Sequence, residues 1–289
     1  MHELDAPVAA LLRSVAASAV LPRFRNLTSG DIEEKSPGEL VTIADRDAEE
    51  QLTTGLLALG QRARVVGEEA CAVDPALLSD LATGSIWLVD PLDGTANFAV
   101  GREPFGLMIA LLVDGVAEAG WLYDPVRDRM CHAARGRGAF IDEVAVRVGQ
   151  PPPGRPVASL ATQFMTAALR ARVEQGFAEI FELVPIPRCA AAHYPRLVLG
   201  ENQISLFQRT LPWDHAAGAL FLIEAGGHVA RWDGSPYRVG DGKIGILAGS
   251  SGPSWLAARA LTERLELPGE YIDAVYAQPI IAPGNPSPQ

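Results

Sequence analysis

The sequence predicts an α/β chain in which helical and sheet layers are stacked, rather than one pure parallel sheet. Three observations carry this. Residues 107–135 read as three consecutive antiparallel strands joined by tight turns at Asp114-Gly115 and Asp124-Pro125, whereas segments on either side show helical spacing. Helices and strands then alternate in blocks after a Pro/Gly cluster at 150–156, which fits layered packing. Finally, 289 residues with 48% hydrophobic content can bury a substantial core, as one large domain or two smaller lobes.

Taken in order, residues 7–24 place Val8, Leu11, Leu12, Val15 and Ala19 at helical spacing and predict an amphipathic helix. Residues 27–41 are polar, with Gly30, Pro37 and Gly38, and are expected to form a mobile loop. A second helix over 42–59 has Thr42 as a possible cap and Asp45 in its first turn. Strands follow at 64–67 and 86–90, separated by a spacer, and then come the three antiparallel strands. Gly136 to Phe140 adds a turn into a short strand. The cluster at 150–156 divides an N-terminal lobe, 1–149, from a C-terminal lobe, 150–289. Beyond it the pattern gives strands at 157–163 and 184–187 around a helix at 166–183, a helical piece at 196–199, and a strand at 204–208. A helix over 216–225, strands at 228–232 and 244–248 and a helix at 254–265 complete the reading. The Pro-rich tail from 277 is expected to be frayed or docked on the surface.

Composition excludes several classes. Acids outnumber bases 35 to 24, a formal charge of −11, and no basic stripe is visible, so no nucleic-acid partner is expected. Cys71, Cys131 and Cys189 are widely spaced and odd in number, which argues against structural zinc and a disulfide framework. Cys131 and His132 adjoin on a strand and point to opposite faces. Glu3 and Asp5 interrupt any leader-like apolar run, and no stretch approaches 18 uninterrupted apolar residues, so no membrane partner is expected and the cytoplasm is the simplest address.

The most informative run is Asp90-Pro91-Leu92-Asp93-Gly94-Thr95-Ala96-Asn97-Phe98, which follows the apolar Ile86-Trp87-Leu88-Val89. Pro91 cannot donate a ladder bond and Gly94 tolerates a turn, so the chain bends there. Two carboxylates three residues apart on such a bend serve either as ligands of a hard divalent cation or as polar caps. Val65-Val66-Gly67-Glu68-Glu69 also ends in acids, and Asp214 stands near a helix start in Pro212-Trp213-Asp214-His215. Acids at three such places suit one site assembled from distant parts of the chain.

These motifs resemble the inositol monophosphatase superfamily of magnesium-dependent, lithium-sensitive sugar phosphatases. Gly67-Glu68-Glu69, the block at 90–98, and Trp213-Asp214 with Glu224-Ala225-Gly226-Gly227 stand in the family's order, and residues 35–45 are similar to its upstream stretch. The resemblance runs from about Val8 to about Leu265. It implies a five-layer αβαβα sandwich, a small phosphorylated substrate, two or three Mg2+ ions per site and a homodimer. Position by position, it gives Glu68, Asp90 and the Leu92 carbonyl to a first magnesium. Asp90, Asp93 and Asp214 go to a second, and Glu68 holds a third through waters. Asp45 and Thr95 orient the attacking water, and the amides near Gly94 and Thr95 hold the phosphate. Two cations can polarise a phosphoryl group and neutralise the leaving alkoxide, which is the stabilisation that slow phosphate monoester hydrolysis needs.

The pattern departs from inositol phosphatases proper at the substrate side. Their inositol-binding glutamate is Phe207 here, followed by Gln208 and Arg209, and their Gly-Ser/Thr-Ala turn is replaced by Cys189-Ala190-Ala191-Ala192-His193-Tyr194. Ala191 and His193 of that stretch are candidates for substrate contact. Arg209 either reaches a second phosphate or carboxylate, or pairs with a surface acid. Lys35 either meets the phosphate or is one base in an acidic loop. His215 and Trp213 are expected to pack, and His228 to be structural. The expected substrate is a small polyol, sugar or amino-alcohol phosphate. The alternatives are fructose 1,6-bisphosphate, histidinol phosphate, a 3′-phosphoadenylyl nucleotide, or a regulatory binding protein on the same fold.

Overall fold

The computed structural model describes residues 2–36, 38–150 and 153–267. The proline-rich tail therefore lies outside the described residues. Two large sheets organise the molecule. The first has seven strands in the order β3 (Arg64–Gly67), β4 (Ser85–Asp93), β5 (Gly106–Val113), β6 (Val116–Asp124), β7 (Arg129–Ala134), β8 (Gly138–Ile141) and β9 (Val144–Val146). Only β3 and β4 run parallel; every later neighbour is antiparallel, as hairpin turns require. The second sheet has the order β11 (Glu182–Val184), β10 (Val157–Ala161), β12 (Ile204–Phe207), β14 (Ile246–Gly249) and β13 (His228–Ala230).

Helices cover both faces of each sheet, giving five layers. The outer layer of α1 (Asp5–Val15) and α2 (Ile43–Ala58) packs on one face of the seven-stranded sheet. A central layer of α6 (Ala190–Leu199) and α7 (Pro212–Glu224) lies between the two sheets, and α5 (Ala167–Ala178) with α8 (Gly252–Arg264) closes the far side. The alternation of β4 shows why. Trp87 and Val89 join Leu12, Leu52 and Leu56 under the outer helices, while Ile86 and Leu88 join Tyr194, Leu220 and Phe221 of the central layer. A strand buried on both faces reads as a continuous apolar run, not as an alternating one. At roughly 25 cal/mol per Å2 of apolar area, each such side chain contributes about 1.5–3 kcal/mol.

Several expectations change in detail. The loop expected at 27–41 contains a hairpin, β1 (Ile32–Ser36) with β2 (Glu39–Thr42). Its side chains form ion pairs, such as Arg46 with Glu33, instead of burying an apolar face, so hydrophobic periodicity is silent there. The first helix breaks into α1, a π-helical turn at Ala16–Val20 and a 3-10 turn at Leu21–Arg23. That apolar N-terminal run is long enough to cross a membrane by length and composition, yet Val8, Leu12, Val15 and Ala19 are buried in the core of this chain. The spacer after β3 contains α3 (Glu68–Val73), and the strand expected at 184–187 lies earlier, as β11. The helical piece expected at 196–199 begins six residues sooner, as α6, where a distant carboxylate, Asp93, accepts the Ala191 amide. β9 was not expected.

Candidate active site

The block at 90–98 folds as a strand end, a bulge and a short helix. β4 loses its regular register with β5 between Asp90 and Asp93, and the Leu92 amide donates to Asp90 Oδ1 at 3.1 Å. Gly94 adopts a left-handed φ of 86° and caps α4 (Thr95–Ala99). A Cβ there would also sit 3.0 Å from the Pro104 carbonyl oxygen and 3.2 Å from Cys189 Cβ, so glycine is required twice over. Asn97 Nδ2 donates to the carbonyls of Pro104 at 2.8 Å and Pro187 at 3.0 Å, tying this turn to the segment before α6.

Three acids from the three motifs converge. Carboxylate oxygens of Glu68, Asp90 and Asp214 all lie within 4.8 Å of one another. Burial, followed by the charge of Glu68, pushes the carboxyls of Asp90 and Asp214 well above their ordinary range. Asp93 is also raised, by burial first, but its Oδ2 accepts the Ala191 amide at 2.6 Å. It therefore caps the start of α6, a task no local sequence pattern announces. Ala191 meets the site through this backbone donor.

Asp45 and Thr95 come together as well. Thr95 Oγ1 lies 3.0 Å from Asp45 Oδ1 and 2.9 Å from the Leu92 carbonyl, and its single proton can serve either acceptor. Asp45 Oδ2 accepts the Thr42 amide at 2.8 Å and the Thr42 hydroxyl at 2.6 Å, which is a capping box that fixes its rotamer. Burial, opposed by the Thr42 hydrogen bonds and assisted by Glu68, brings its pKa to about 6.

Glu49, from the buried face of α2, is a residue that sequence reasoning missed. Its Oε2 accepts the Glu69 amide at 2.8 Å and its Oε1 the Ala70 amide at 2.7 Å, holding the helix that presents Glu68. Gly67 makes room for it, since a Cβ at 67 would lie 2.3 Å from Glu49 Cδ. The signal was a second acid, one turn after Asp45, on a helix face otherwise made of Ala44, Ala48, Leu52 and Leu56. Lys35 lies on β1 with Nζ 2.9 Å from Glu68 and 2.6 Å from Glu69. Burial opposes its charge, but the two carboxylates outweigh it and raise the ammonium pKa.

The same cavity is also lined by the substrate-side candidates Arg209 and His193. Arg209 pairs with Glu39 through Nη1, and its guanidinium carbon stands 4.2 Å from the Phe164 ring centroid. His193 lines the cavity, but Nε2 is 2.7 Å from both Ser159 Oγ and Ser205 Oγ, and burial pulls its pKa down to about 3. His215 bridges the Tyr194 hydroxyl, 2.9 Å from Nδ1, and the Arg209 carbonyl, 3.2 Å from Nε2. A carbonyl only accepts, so Nε2 carries the proton and Nδ1 accepts from tyrosine. His215 and Trp213 are buried, as expected, while His228 is exposed and tilts against Trp255.

The sequence of this chain matches the model of the inositol monophosphatase family over residues 1–266. The chain belongs to that family. Among curated relatives, the Inositol-1-monophosphatase of Bacillus subtilis is 29% identical over 247 residues, covering 81% of this chain and 88% of the relative. A Nus factor SuhB of Haemophilus influenzae is 29% identical over 236 residues, 79% of this chain and 85% of the relative. The staphylococcal SaIMPase-II with inositol monophosphate bound superposes with a TM-score of 0.74 at 22% identity, covering 91% of this chain and 96% of that one. Membership in the inositol monophosphatase family supports a phosphatase and the five-layer fold, and the acidic cluster is one that can bind metal.

Proposed function

We propose that this chain is a magnesium-dependent phosphomonoesterase that hydrolyses a small polyol or sugar phosphate by direct attack of water. The observation that carries the reading is the convergence of Glu68, Asp90 and Asp214 in one cavity that also contains Thr95, the hydrogen-bond partner of Asp45. The donor set fits magnesium: it is all oxygen, and its buried carboxylates repel one another until a cation relieves them. Glu68, Asp90, the Leu92 carbonyl, Asp93 and Asp214 would hold it. When bound, magnesium supplies Lewis-acid polarisation of the phosphoryl group and makes water more acidic.

The chain's own residues do the rest. Thr95 accepts a proton from the attacking water and passes its hydroxyl proton to Asp45 Oδ1. A carboxylate with a pKa near 6 is well matched to this at neutral pH. The amides of Gly94 and Thr95 hold the phosphate, and Lys35 adds positive charge beside Glu68. The test is phosphate release from a panel of esters with and without magnesium. Activity should require the metal and fall about 100-fold or more in Asp90→Asn and Thr95→Val. Full activity in a chelator, or in Asp90→Asn, would defeat the proposal.

A regulatory role is the second reading, favoured by the relatives named Nus factor SuhB. A stoichiometric protein partner together with no phosphate released from any ester would establish it instead. The working form is a cytoplasmic homodimer, for which sedimentation at micromolar concentration should show twice the 30.7 kDa chain mass.

A further inference from the structure

The cavity wall beyond the acidic cluster is unusual in its chemistry. Where a polyol site needs carboxylates to accept hydroxyl protons, this wall presents the apolar rings of Phe164 and Phe207 with the cations Arg188 and Arg209. Its one carboxylate there, Glu39, is already engaged by Arg209. Beyond the engaged Glu39, a hydroxyl finds the neutral amide of Gln163 as a side-chain acceptor there, whereas an anion finds two guanidinium groups.

Both cations are placed rather than incidental. The Arg209 guanidinium carbon stands 4.2 Å over the Phe164 ring centroid, a cation–π contact that helps hold it in position, and among the described residues only its Nη1 has a side-chain hydrogen-bond partner. Arg188 is exposed at the cavity and holds a left-handed φ of 54°, a conformation that costs free energy in a non-glycine residue. The turn carrying it is secured by Asn97 of the catalytic block, which donates to the Pro187 carbonyl. Its guanidinium makes no ion pair among the described residues. A strained backbone tied to the reacting turn, with an uncommitted cation facing the cavity, is the arrangement expected of a recognition group.

We propose that the site selects phosphomonoesters whose alcohol portion carries a second anionic group, a phosphate or a carboxylate, held by Arg188 and Arg209. This rests on the phosphatase reading and narrows its substrate class. Phe164 and Phe207 then cover the carbon skeleton between the two anions, and Glu39 sets the strength of the contact by sharing Arg209.

The test uses matched esters with magnesium: fructose 1,6-bisphosphate against fructose 1-phosphate for a phosphate, and 2-phosphoglycerate against glycerol 2-phosphate for a carboxylate. The member with the second anion should show kcat/KM about tenfold or more higher, mainly through KM, since a charge-assisted hydrogen bond is made only to it. Whichever pair shows the larger ratio identifies the anion. Arg188→Ala and Arg209→Ala should each shrink that ratio by raising KM for the anionic member. Arg188→Glu should invert it, and because Arg188 is exposed its variants keep the fold. Equal kcat/KM within both pairs, or variants that lower both members alike, would overturn the inference while leaving the phosphatase reading intact. Titration calorimetry with magnesium separates the opposite failure. Preferential binding of the anionic member without turnover of any ester would sustain the inference and defeat the phosphatase reading. No binding preference and no turnover would defeat both.

Discussion

His193 sits in a nest of hydroxyls, and its environment makes a statement about pH. Burial lowers its pKa to about 3 from an ordinary 6.5, so the unfolded chain binds a proton between those values that the folded chain refuses. A base with a depressed folded pKa contributes fully above pH 6.5, and that contribution is lost progressively as pH falls toward 3. Between pH 7 and pH 4.5 the loss through this group is on the order of 2 kcal/mol. His193→Gln should therefore show a smaller drop in urea-derived stability over the same range than the parent. Identical drops would show that the imidazole does not stay neutral. Asp93 and Glu49 teach a related lesson: each carboxylate is committed to helix-start amides, so each fixes an element as well as a charge.

A short element, α3, brings Glu68 to the acids that the longer β4 and α7 carry. α3 spans six residues, too few to form alone, and it exists because Glu49 satisfies two of its first amides. Gly67→Ala places a Cβ against Glu49 Cδ, forces that carboxylate away and frees the helix that carries Glu68. The expected cost is about 1–3 kcal/mol in stability, measured by thermal unfolding, together with weaker magnesium affinity. A variant as stable as the parent, with unchanged affinity, would show that Glu49 is dispensable to the loop. The β1–β2 hairpin works in the same way: it delivers Lys35 to Glu68 and Glu69, and Glu39 to Arg209. Its ion pairs are partly exposed, so its worth lies in placement more than in stability.

At the scale of the whole molecule, the site lies where several layers meet. β4 of the first sheet brings Asp90 and Asp93, α2 of the outer layer brings Asp45, and α7 of the central layer brings Asp214. Folding must therefore press together carboxylates that repel, and a bound cation should return part of that cost. Magnesium at about 100 times its dissociation constant should add about 2.7 kcal/mol, seen as a rise in Tm. Asp90→Asn should lose most of that rise; a parent whose Tm ignores magnesium would contradict the assignment of the cluster.

The long elements were legible because their apolar residues report burial directly. β3 and β5–β7, with α2 capped by Thr42 and α5 capped by Thr166, stand within a few residues of their expected places. The charged hairpin, α3 and the early start of α6 were not legible, since their partners are distant: Glu68 for Lys35, Glu49 for α3, and Asp93 for α6. The same division holds for the candidate site. Residues in contiguous motifs, such as Asp90 to Thr95, could be named from their spacing, whereas Glu49, Glu39, Phe164 and Arg188 could not.

By itself the sequence determined the layered α/β class, the family, and the acids and hydroxyl grouped on turns, because turn chemistry and apolar periodicity are local properties. Only the tertiary structure decided that Glu68, Asp90 and Asp214 share one point, that Asp93 also caps α6, and that Arg209 is held between Glu39 and Phe164. Those are contacts between residues as many as 170 positions apart, set by how the layers pack and not by any neighbouring residue.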